Sequence, residues 1–499
     1  MTQRRTFLAT LGSLPVLGLH LGVAYAATGD MSAMNMGATA SSVKLAAVET
    51  LAAGAALNDL AKLANTSSQP GLFRASLIAA PVTVPLLPGA PTAFWTYNGS
   101  LPGPLIEVVE GDTVEINFEN RLPQATTVHW HGLPVPADQD GSPHDEVAPG
   151  GKRLYRFTLP VGSAGTYWYH PHPHGHTPEQ VYRGLAGLFI VRAKVDPLKA
   201  IPERLLVISD LKLSADGSIA PNDANDEMNG REGQFALVNA QRQPVLPFDS
   251  QGRERWRIWN ASSARYLRLV LPEVSFTLVG TDGGLLERPV AGLTELLLAP
   301  AERVEVIVDA STNTGKVVLT AAPYNRGKMG DVPAEKALSL MSVDFGKVTN
   351  TVQKPLPVTL RRINDLGKPK ATKRVVFSEK MSMAGGQHSV KFLVNGKTFD
   401  MNRVDLVSRV NQVELWEIAN ESDMDHPFHI HGTQFQLVER ELDGQVTPAP
   451  YRAWQDTVNL KAREIVRIKL THHFKGIYMF HCHILEHEGA GMMGQLNVA

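Results

Sequence analysis

The chain has 499 residues, and domains of about 150 residues each would divide it into three. Its 48 Lys and Arg nearly balance its 49 Asp and Glu, and the net charge of −1 gives no electrostatic case for binding nucleic acid or an anionic membrane surface. With 43% hydrophobic and 19% charged residues, the composition excludes both a disordered chain and a membrane-embedded one.

Residues 1–26 carry the regions of an export signal. Arg4 and Arg5 precede a mildly apolar run that ends at Ala24-Tyr25-Ala26, a small-residue cleavage pattern. The paired arginines indicate a twin-arginine-type signal, and therefore a periplasmic or secreted protein. Because glycine, proline and histidine interrupt the run, it is short for a membrane span, and we expect no stable membrane insertion.

Residues 27–74 form a low-complexity leader that we expect to be flexible. Met31, Met34 and Met36 lie in a tail of small residues, and the Ala- and Leu-rich stretch 45–64 is compatible with a helix. Because thioethers are soft ligands, the methionine tail is also a candidate Cu(I) site. Of the two interpretations we favour the mobile leader.

Beyond residue 75, short alternating runs are separated by Gly, Pro and Asn, a pattern typical of β-sandwiches. Three of these runs end at Asn, and each is followed by a second alternating run. The first runs cover 114–120, 255–260 and 415–420, and the second runs cover 153–157, 303–308 and 464–469. The repetition indicates one β domain used three times, and we place the domains at 75–196, 201–348 and 376–499.

The histidines distinguish the three copies from one another. Only His388 lies between His176 and His426, so we expect the middle copy to hold no metal. The first and third copies contain four His-x-His pairs: His129 and His131, His170 and His172, His429 and His431, and His481 and His483. Alternate residues of a strand face the same side, and imidazole suits Zn, Cu, Fe and Ni. The four pairs therefore predict a metal cluster between the first and third copies.

Cys482 is the single cysteine of the chain, so it cannot close an intramolecular disulfide. It lies between His481 and His483, and strand alternation directs its thiol to the opposite face from their imidazoles. His426, His487 and Met492 flank it in the sequence. Two histidines, a thiolate and a weak axial methionine make a blue-copper electron-transfer site. We predict that Cys482 is a metal thiolate and the connection between two metal sites.

The motifs HWHG, WYHPHPHG, HPFHIHG and HCHxxxHxxxxM together resemble those of the multicopper oxidase family, in its three-domain bacterial laccase and cuprous oxidase type. The resemblance covers the chain after residue 75. It implies an all-β fold of three consecutive cupredoxin-like Greek-key β-sandwich domains. It also implies four copper ions: a type 1 copper at His426, Cys482, His487 and Met492, a type 2 copper at His129 and His429, and a type 3 pair at His131, His170, His172, His431, His481 and His483.

The resemblance further implies an enzyme that takes single electrons from a small reducing substrate at the type 1 copper and reduces dioxygen to water at the other three. Asp140, in the Asp-Gly segment after HWHG, matches the family acid that relays protons, and Glu488 beside His487 is a second relay candidate. His174 and His176 continue the histidine run outside the ligand pattern, and we expect them to be loop residues or neighbours of the ligands.

The methionine content of the third copy bears on the identity of the electron donor. We favour a laccase that oxidises phenols or aromatic amines, because the region of the third copy where cuprous oxidases carry a Met-rich insertion over the type 1 site has only scattered methionines, at 381, 383, 401 and 424. A cuprous oxidase is the alternative, with Asp423-Met424-Asp425 as a candidate extra copper site. A non-enzymatic cupredoxin-fold binding protein would lose copper ligands, and none is missing here. We expect the protein to be a monomer.

Overall fold

The structure, a computed structural model, describes residues 43–248, 252–309, 315–346, 354–384 and 387–499. The export signal and the Met31, Met34 and Met36 segment lie outside these ranges. The described chain forms three β-sandwiches in sequence order, each built from two sheets. This architecture confirms the predicted all-β fold of three consecutive sandwiches.

The first sandwich is built from two four-stranded sheets. Its strands are β1 Leu72–Leu87, β2 Ala90–Tyr97, β3 Gly103–Val109, β4 Thr113–Asn120, β5 His129–His131, β6 Lys152–Thr158, β7 Gly165–His170 and β8 Gly187–Arg192. One sheet has the order β2-β1-β4-β6 and the other the order β3-β8-β7-β5. Because β1 is parallel to β4 and β3 is parallel to β8, the chain crosses between the sheets as a Greek-key sandwich requires.

The second sandwich also has two sheets, one with six strands and one with five. Its strands are β9 Glu203–Leu211, β10 Phe235–Val238, β11 Val245–Pro247, β12 Arg253–Asn260, β13 Leu267–Val270, β14 Phe276–Thr281, β15 Gly284–Leu293, β16 Leu296–Leu298, β17 Arg303–Asp309, β18 Lys316–Ala322 and β19 Leu338–Asp344. The sheet orders are β10-β9-β12-β17-β14-β15 and β11-β19-β18-β13-β16.

The third sandwich has the same two sheet sizes as the second. Its strands are β20 Ala371–Ala384, β21 Gln387–Val394, β22 Leu406–Ser408, β23 Glu414–Asn420, β24 His426–Ile430, β25 Phe435–Leu442, β26 Gln445–Pro448, β27 Thr457–Leu460, β28 Ile465–Leu470, β29 Gly476–Cys482 and β30 Met493–Val498. The sheet orders are β21-β20-β23-β28-β25-β26 and β22-β30-β29-β24-β27.

The three repeated runs are β4, β12 and β23, and each pairs antiparallel with the second run of its copy, β6, β17 or β28. Asn120, Asn260 and Asn420 explain why these strands stop. Each asparagine donates from Nδ2 to backbone carbonyls outside its strand and accepts, through Oδ1, the N–H of the residue two positions on. The same side-chain turn therefore ends the strand in all three copies.

In the part of the chain that the structure describes, three short α-helices lie in the connections: α1 Thr177–Tyr182, α2 Ala224–Asn229 and α3 Leu485–Gly489. α3 contacts both α1 and α2, so helices from all three sandwiches meet beside the end of β29. Within the described ranges, no helix has the length and apolar content needed to cross a membrane.

Residues 45–64 form no α-helix, although their composition is compatible with one. A single 3₁₀ turn, Val48–Thr50, interrupts them. Isolated β-bridges join this segment to the first and second sandwiches, pairing Leu45 with Ser214, Ala53 with Arg242, Ala56 with Val245 and Lys62 with Leu105. Alanine and leucine favour a helix in isolation, but hydrogen bonds to the sandwiches override this weak propensity.

Candidate metal centre

The eight paired histidines lie at the boundary between the first and third sandwiches. The pairing of β5 with β7 puts His129 opposite His170, and the pairing of β24 with β29 puts His429 opposite His481. Rings from the two sandwiches stack across the boundary, with the centroids of His129 and His431 3.7 Å apart. All eight side chains are buried. The structure therefore brings the four predicted pairs into one histidine cluster.

Ring nitrogens in the histidine cluster lack protein partners. They are His129 Nε2, His131 Nδ1, His170 Nε2, His172 Nδ1, His429 Nε2 and both nitrogens of His483. Three sets of three histidines have ring nitrogens within 4.8 Å of one another: His129, His131 and His170; His129, His429 and His431; and His172, His431 and His481. Buried polar atoms are normally hydrogen-bonded, so these orphaned lone pairs fit a bound metal.

Burial keeps seven of the eight imidazoles of the histidine cluster neutral. Burial, followed by repulsion from neighbouring imidazoles, lowers the pKa well below 6.5 for His131, His170, His172, His429, His431 and His483. Burial likewise lowers the pKa of His481 to about 3. Only the neutral ring offers a lone pair to a metal, so these rings are ready to act as ligands at physiological pH.

Cys482 occupies a second candidate site on the other side of β29. Its Sγ lies 3.4 Å from His426 Nδ1 and 3.9 Å from His487 Nδ1, and these two nitrogens are 3.4 Å apart. All three side chains are fully buried. Met492 is buried in the same core, and its carbonyl accepts the Cys482 N–H at 3.0 Å. A thiol and two imidazoles thus converge one residue away from the histidine cluster.

Asp140 is fully buried against the histidine cluster. Its Oδ2 lies 2.7 Å from His431 Nδ1, and its backbone carbonyl lies 2.9 Å from His129 Nδ1. Its other carboxylate oxygen, Oδ1, has no hydrogen-bond partner. Asp140 therefore contacts histidines of both sandwiches, and one of its carboxylate oxygens is free of hydrogen bonds.

Glu488, on α3, contacts other histidines of the cluster. Its Oε1 lies 3.6 Å from His172 Nε2, and its Oε2 lies 3.4 Å from His481 Nδ1. Burial raises the pKa of Glu488 to about 8, although a hydrogen bond with Thr177 opposes the shift. A buried carboxyl group that retains its proton near neutral pH is a candidate proton donor.

Among the described side chains, histidines outside the ligand pattern and the candidate extra copper segment do not join either site. His144 Nε2 lies 2.6 Å from Gln495 Oε1, the His174 ring packs on Phe399, and His176 precedes α1. The segment Asp423-Met424-Asp425 does not converge on a metal position. Asp423 pairs with Arg463, Met424 Sδ lies 2.8 Å from an Arg326 nitrogen, and Asp425 bonds to Tyr324 and Asn459.

Sequence reasoning missed Asp456 and Arg303. Asp456 Oδ1 lies 3.0 Å from His131 Nε2, and its backbone carbonyl lies 2.8 Å from His429 Nδ1. Arg303, at the start of β17, forms a buried ion pair with Asp456. Neither residue belongs to a histidine motif. For Asp456, the one local signal was an acid directly before the short buried strand β27.

Comparisons with known proteins agree with this geometry. Multicopper oxidase domain models match residues 79–196, 209–341 and 370–499. The chain belongs to the multicopper oxidase family. Members of this family are copper-dependent oxidoreductases that use dioxygen, so this multicopper oxidase is an enzyme with copper cofactors. The orphaned imidazole nitrogens and the buried thiol with two histidines fit that metal.

Three relatives illustrate the range of the similarity. The multicopper oxidase mco of Staphylococcus haemolyticus is 36% identical over 410 residues, covering 81% of this chain and 83% of that protein. A laccase of Bacillus subtilis is 30% identical over 481 residues, covering 82% and 90%. The solved multicopper oxidase of Campylobacter jejuni, described as a metallo-oxidase, is 44% identical with a TM-score of 0.87, covering 92% of this chain and 98% of that one.

Proposed function

We propose that this multicopper oxidase holds four copper ions. His426, Cys482, His487 and Met492 would hold a type 1 copper. His129 and His429 would hold a type 2 copper, and a type 3 pair would be held by His131, His170, His172, His431, His481 and His483. The observation that carries the proposal is the set of orphaned ring nitrogens inside the histidine cluster, next to a buried thiol on the same strand.

When bound, the type 1 copper supplies one-electron oxidation of a donor, and the other three supply the four-electron reduction of dioxygen to water. The residues of β29 connect the two sites, since Cys482 is covalently joined to His481 and His483. His481 lies 3.2 Å, nitrogen to nitrogen, from both His172 and His431. One strand therefore contacts the donor side and the dioxygen side of the enzyme.

Asp140 and Glu488 are proposed to supply protons to the histidine cluster. The support for Asp140 is that its Oδ2 contacts His431 while its Oδ1, 3.5 Å from His129 Nδ1, has no hydrogen bond. The support for Glu488 is its position within 3.6 Å of His172. Reducing dioxygen to water consumes protons, and acids positioned at the wall of a buried cluster can supply them.

We propose Cu(I) as the donor, because His487 is enclosed. The His487 side chain is fully buried, and the Met228 carbonyl of α2 lies 3.2 Å from its Nε2. Phe392 stacks on the His487 ring with centroids 4.0 Å apart. This cover leaves little room for an aromatic donor at the imidazole edge, whereas a single metal ion needs little space.

Two methionines lie in the cover above His487. Met228 and Met329 are half-buried against the core that contains Cys482. A Cβ added to Gly330 would lie 3.9 Å from Met228 Sδ, so α2 packs against the loop that carries Met329. Glu227 precedes Met228 in α2 and is half-buried, whereas Asp226 is already paired with Lys212. Thioethers bind soft Cu(I), and a nearby carboxylate attracts a cation.

Phenols and aromatic amines are the second candidate donors. They are supported by the missing Met-rich insertion in the third sandwich and by the similarity to the Bacillus subtilis laccase. Export by a twin-arginine-type signal, which would place either activity in the periplasm or outside the cell, is also part of the proposal.

The test measures dioxygen consumption by the copper-loaded enzyme with Cu(I) and with a phenol, without added Cu(II). We expect Cu(I) to be oxidised faster. The double variant Met228→Leu and Met329→Leu, which keeps side-chain volume, should raise the KM for Cu(I) and leave phenol oxidation unchanged. Met341→Leu, in the buried core of the second sandwich, is the control. Faster phenol turnover by the parent would favour the laccase.

A further inference from the structure

His131 is held differently from its neighbours in the histidine cluster. His129, His170 and His429 each set Nδ1 against a backbone carbonyl, at 2.9, 2.9 and 2.8 Å, and leave Nε2 without a partner. His131 is reversed, since its Nε2 lies 3.0 Å from Asp456 Oδ1 and its Nδ1 has no partner. A side-chain carboxylate, rather than the backbone, therefore determines which nitrogen of His131 is free.

Both carboxylate oxygens of Asp456 are already engaged. Oδ1 accepts from Arg303 Nη1 at 2.7 Å and from the Thr457 hydroxyl at 3.0 Å, and Oδ2 accepts from Arg303 Nη2 at 2.5 Å. Two-point pairing of this kind is strong and directional. Although Asp456 lies close enough to His131 and His429 to share a metal with them, the pairing makes it an anchor rather than a ligand.

Arg303 comes from the middle sandwich, which carries none of the histidine pairs. Its side chain is fully buried at the start of β17. Its Nε donates to the Thr166 carbonyl of the first sandwich at 2.7 Å, and its backbone N–H donates to Asp282 Oδ1 at 2.8 Å. Asp282 Oδ2 accepts the Asp456 N–H at 3.2 Å. Arg303 thus contacts all three sandwiches beside the histidine cluster.

We propose that Arg303 is a positioning residue for the histidine cluster and acts through Asp456 on His131. The guanidinium holds the Asp456 carboxylate in place, so that Oδ1 accepts the Nε2 proton of His131. This contact fixes the ring orientation and leaves Nδ1 for the metal. Without Arg303, the buried carboxylate loses its cationic partner, and His131 loses its fixed orientation. The inference rests on the proposed copper cluster and gives the middle sandwich a part in it.

The experiment compares Arg303→Gln, Arg303→Lys and Asp456→Asn with the control Arg255→Gln. Arg255 is also buried in the middle sandwich, and it pairs with Glu305 at 3.0 Å and with Asp196 at 2.6 Å. Each metal-free protein is titrated with copper. Three quantities are measured: copper affinity and content, the fraction of Cu(II) visible by electron paramagnetic resonance, and the unfolding midpoint of the metal-free protein.

We expect Arg303→Gln and Asp456→Asn to bind cluster copper about 10–100-fold more weakly. The fraction of bound Cu(II) visible by electron paramagnetic resonance should rise, because displacing a ligand of the proposed type 3 pair weakens the magnetic coupling between its two copper ions. Arg303→Lys restores the charge without the two-point geometry and should recover part of the loss. Arg255→Gln should lower the unfolding midpoint yet keep the copper affinity of the parent.

Two results would overturn the inference. One is Arg303→Gln binding copper as tightly as the parent, and the other is Arg255→Gln losing copper to the same extent, which would indicate a general loss of packing. If Arg303→Gln does not fold, Asp456→Asn, which preserves shape, decides by the same measurements. A parent protein that binds no copper would refute the proposed function itself, and all variants would then also lack copper.

Discussion

Gly132 follows the first histidine pair and limits how the Asp456 anchor can pack. Its φ is +82°, and a Cβ added there would lie 2.8 Å from Asp456 Cγ and 3.1 Å from Arg303 Nη2. Gly150 has a similar φ of +76° but open space around the position of its Cβ. The two glycines therefore separate the cost of backbone conformation from the cost of a steric clash.

The substitution Gly132→Ala combines both costs, whereas Gly150→Ala carries only one. An L-residue in the left-handed region costs about 1–2 kcal/mol, and that cost applies at both positions. Forcing an extra methyl into a packed interior adds about 1–3 kcal/mol, and this cost applies at Gly132 alone. We therefore expect Gly132→Ala to lower the free energy of unfolding by about 1–3 kcal/mol more than Gly150→Ala does.

The assay is urea unfolding of the metal-free proteins, followed by copper loading of each. Gly132→Ala should show the lower urea midpoint and should also bind less copper, because the new methyl displaces Asp456 from His131. Gly150→Ala should load copper as the parent does. Equal midpoints and equal copper contents for the two variants would refute the packing argument.

Three further predictions concern the two sites and the pH dependence. Cys482→Ser should lose the blue colour and donor oxidation while the histidine cluster still binds copper, because serine cannot supply a soft thiolate; visible spectra, metal analysis and donor assays check this. Asp140→Asn, beside His431, should keep the visible spectrum but slow turnover about a hundredfold or more; unchanged turnover at acidic and neutral pH would contradict it. Burial would raise the pKa of Glu232, but attraction by Arg265 and neighbouring cations outweighs burial and lowers that pKa to about 2. Its stabilisation is therefore complete above about pH 4.5 and is lost as the pH falls towards 2, so Glu232→Gln should flatten the stability profile of the metal-free protein in that range.

The sequence alone was sufficient to predict features that depend on residues close to one another in the chain. Strand alternation alone directs the Cys482 thiol and the flanking imidazoles to opposite faces, as the structure has them. Likewise, the sequence shows that the repeated run ends at an asparagine in all three copies. The side chain of each asparagine bonds to a backbone carbonyl a few residues further along the chain. These patterns extend over a few residues, so no knowledge of the tertiary structure was needed.

Features that depend on distant residues could not be predicted. Arg303 and Asp456 are 153 positions apart in the sequence, and only the packing of the sandwiches makes them a pair. The cover of His487 by the Met228 carbonyl joins residues 259 positions apart. The extended backbone of 45–64 depends on bridges to other strands, which outweigh a helical propensity read from composition.

The proposed copper sites give this chain a complete electron path from a donor to dioxygen. The most direct measurement is the number of one-electron donors oxidised for each dioxygen consumed by the copper-loaded enzyme, with hydrogen peroxide assayed in parallel. A complete type 1 site and histidine cluster predict four donors per dioxygen and no peroxide. A ratio of two donors with peroxide as the product would contradict the account.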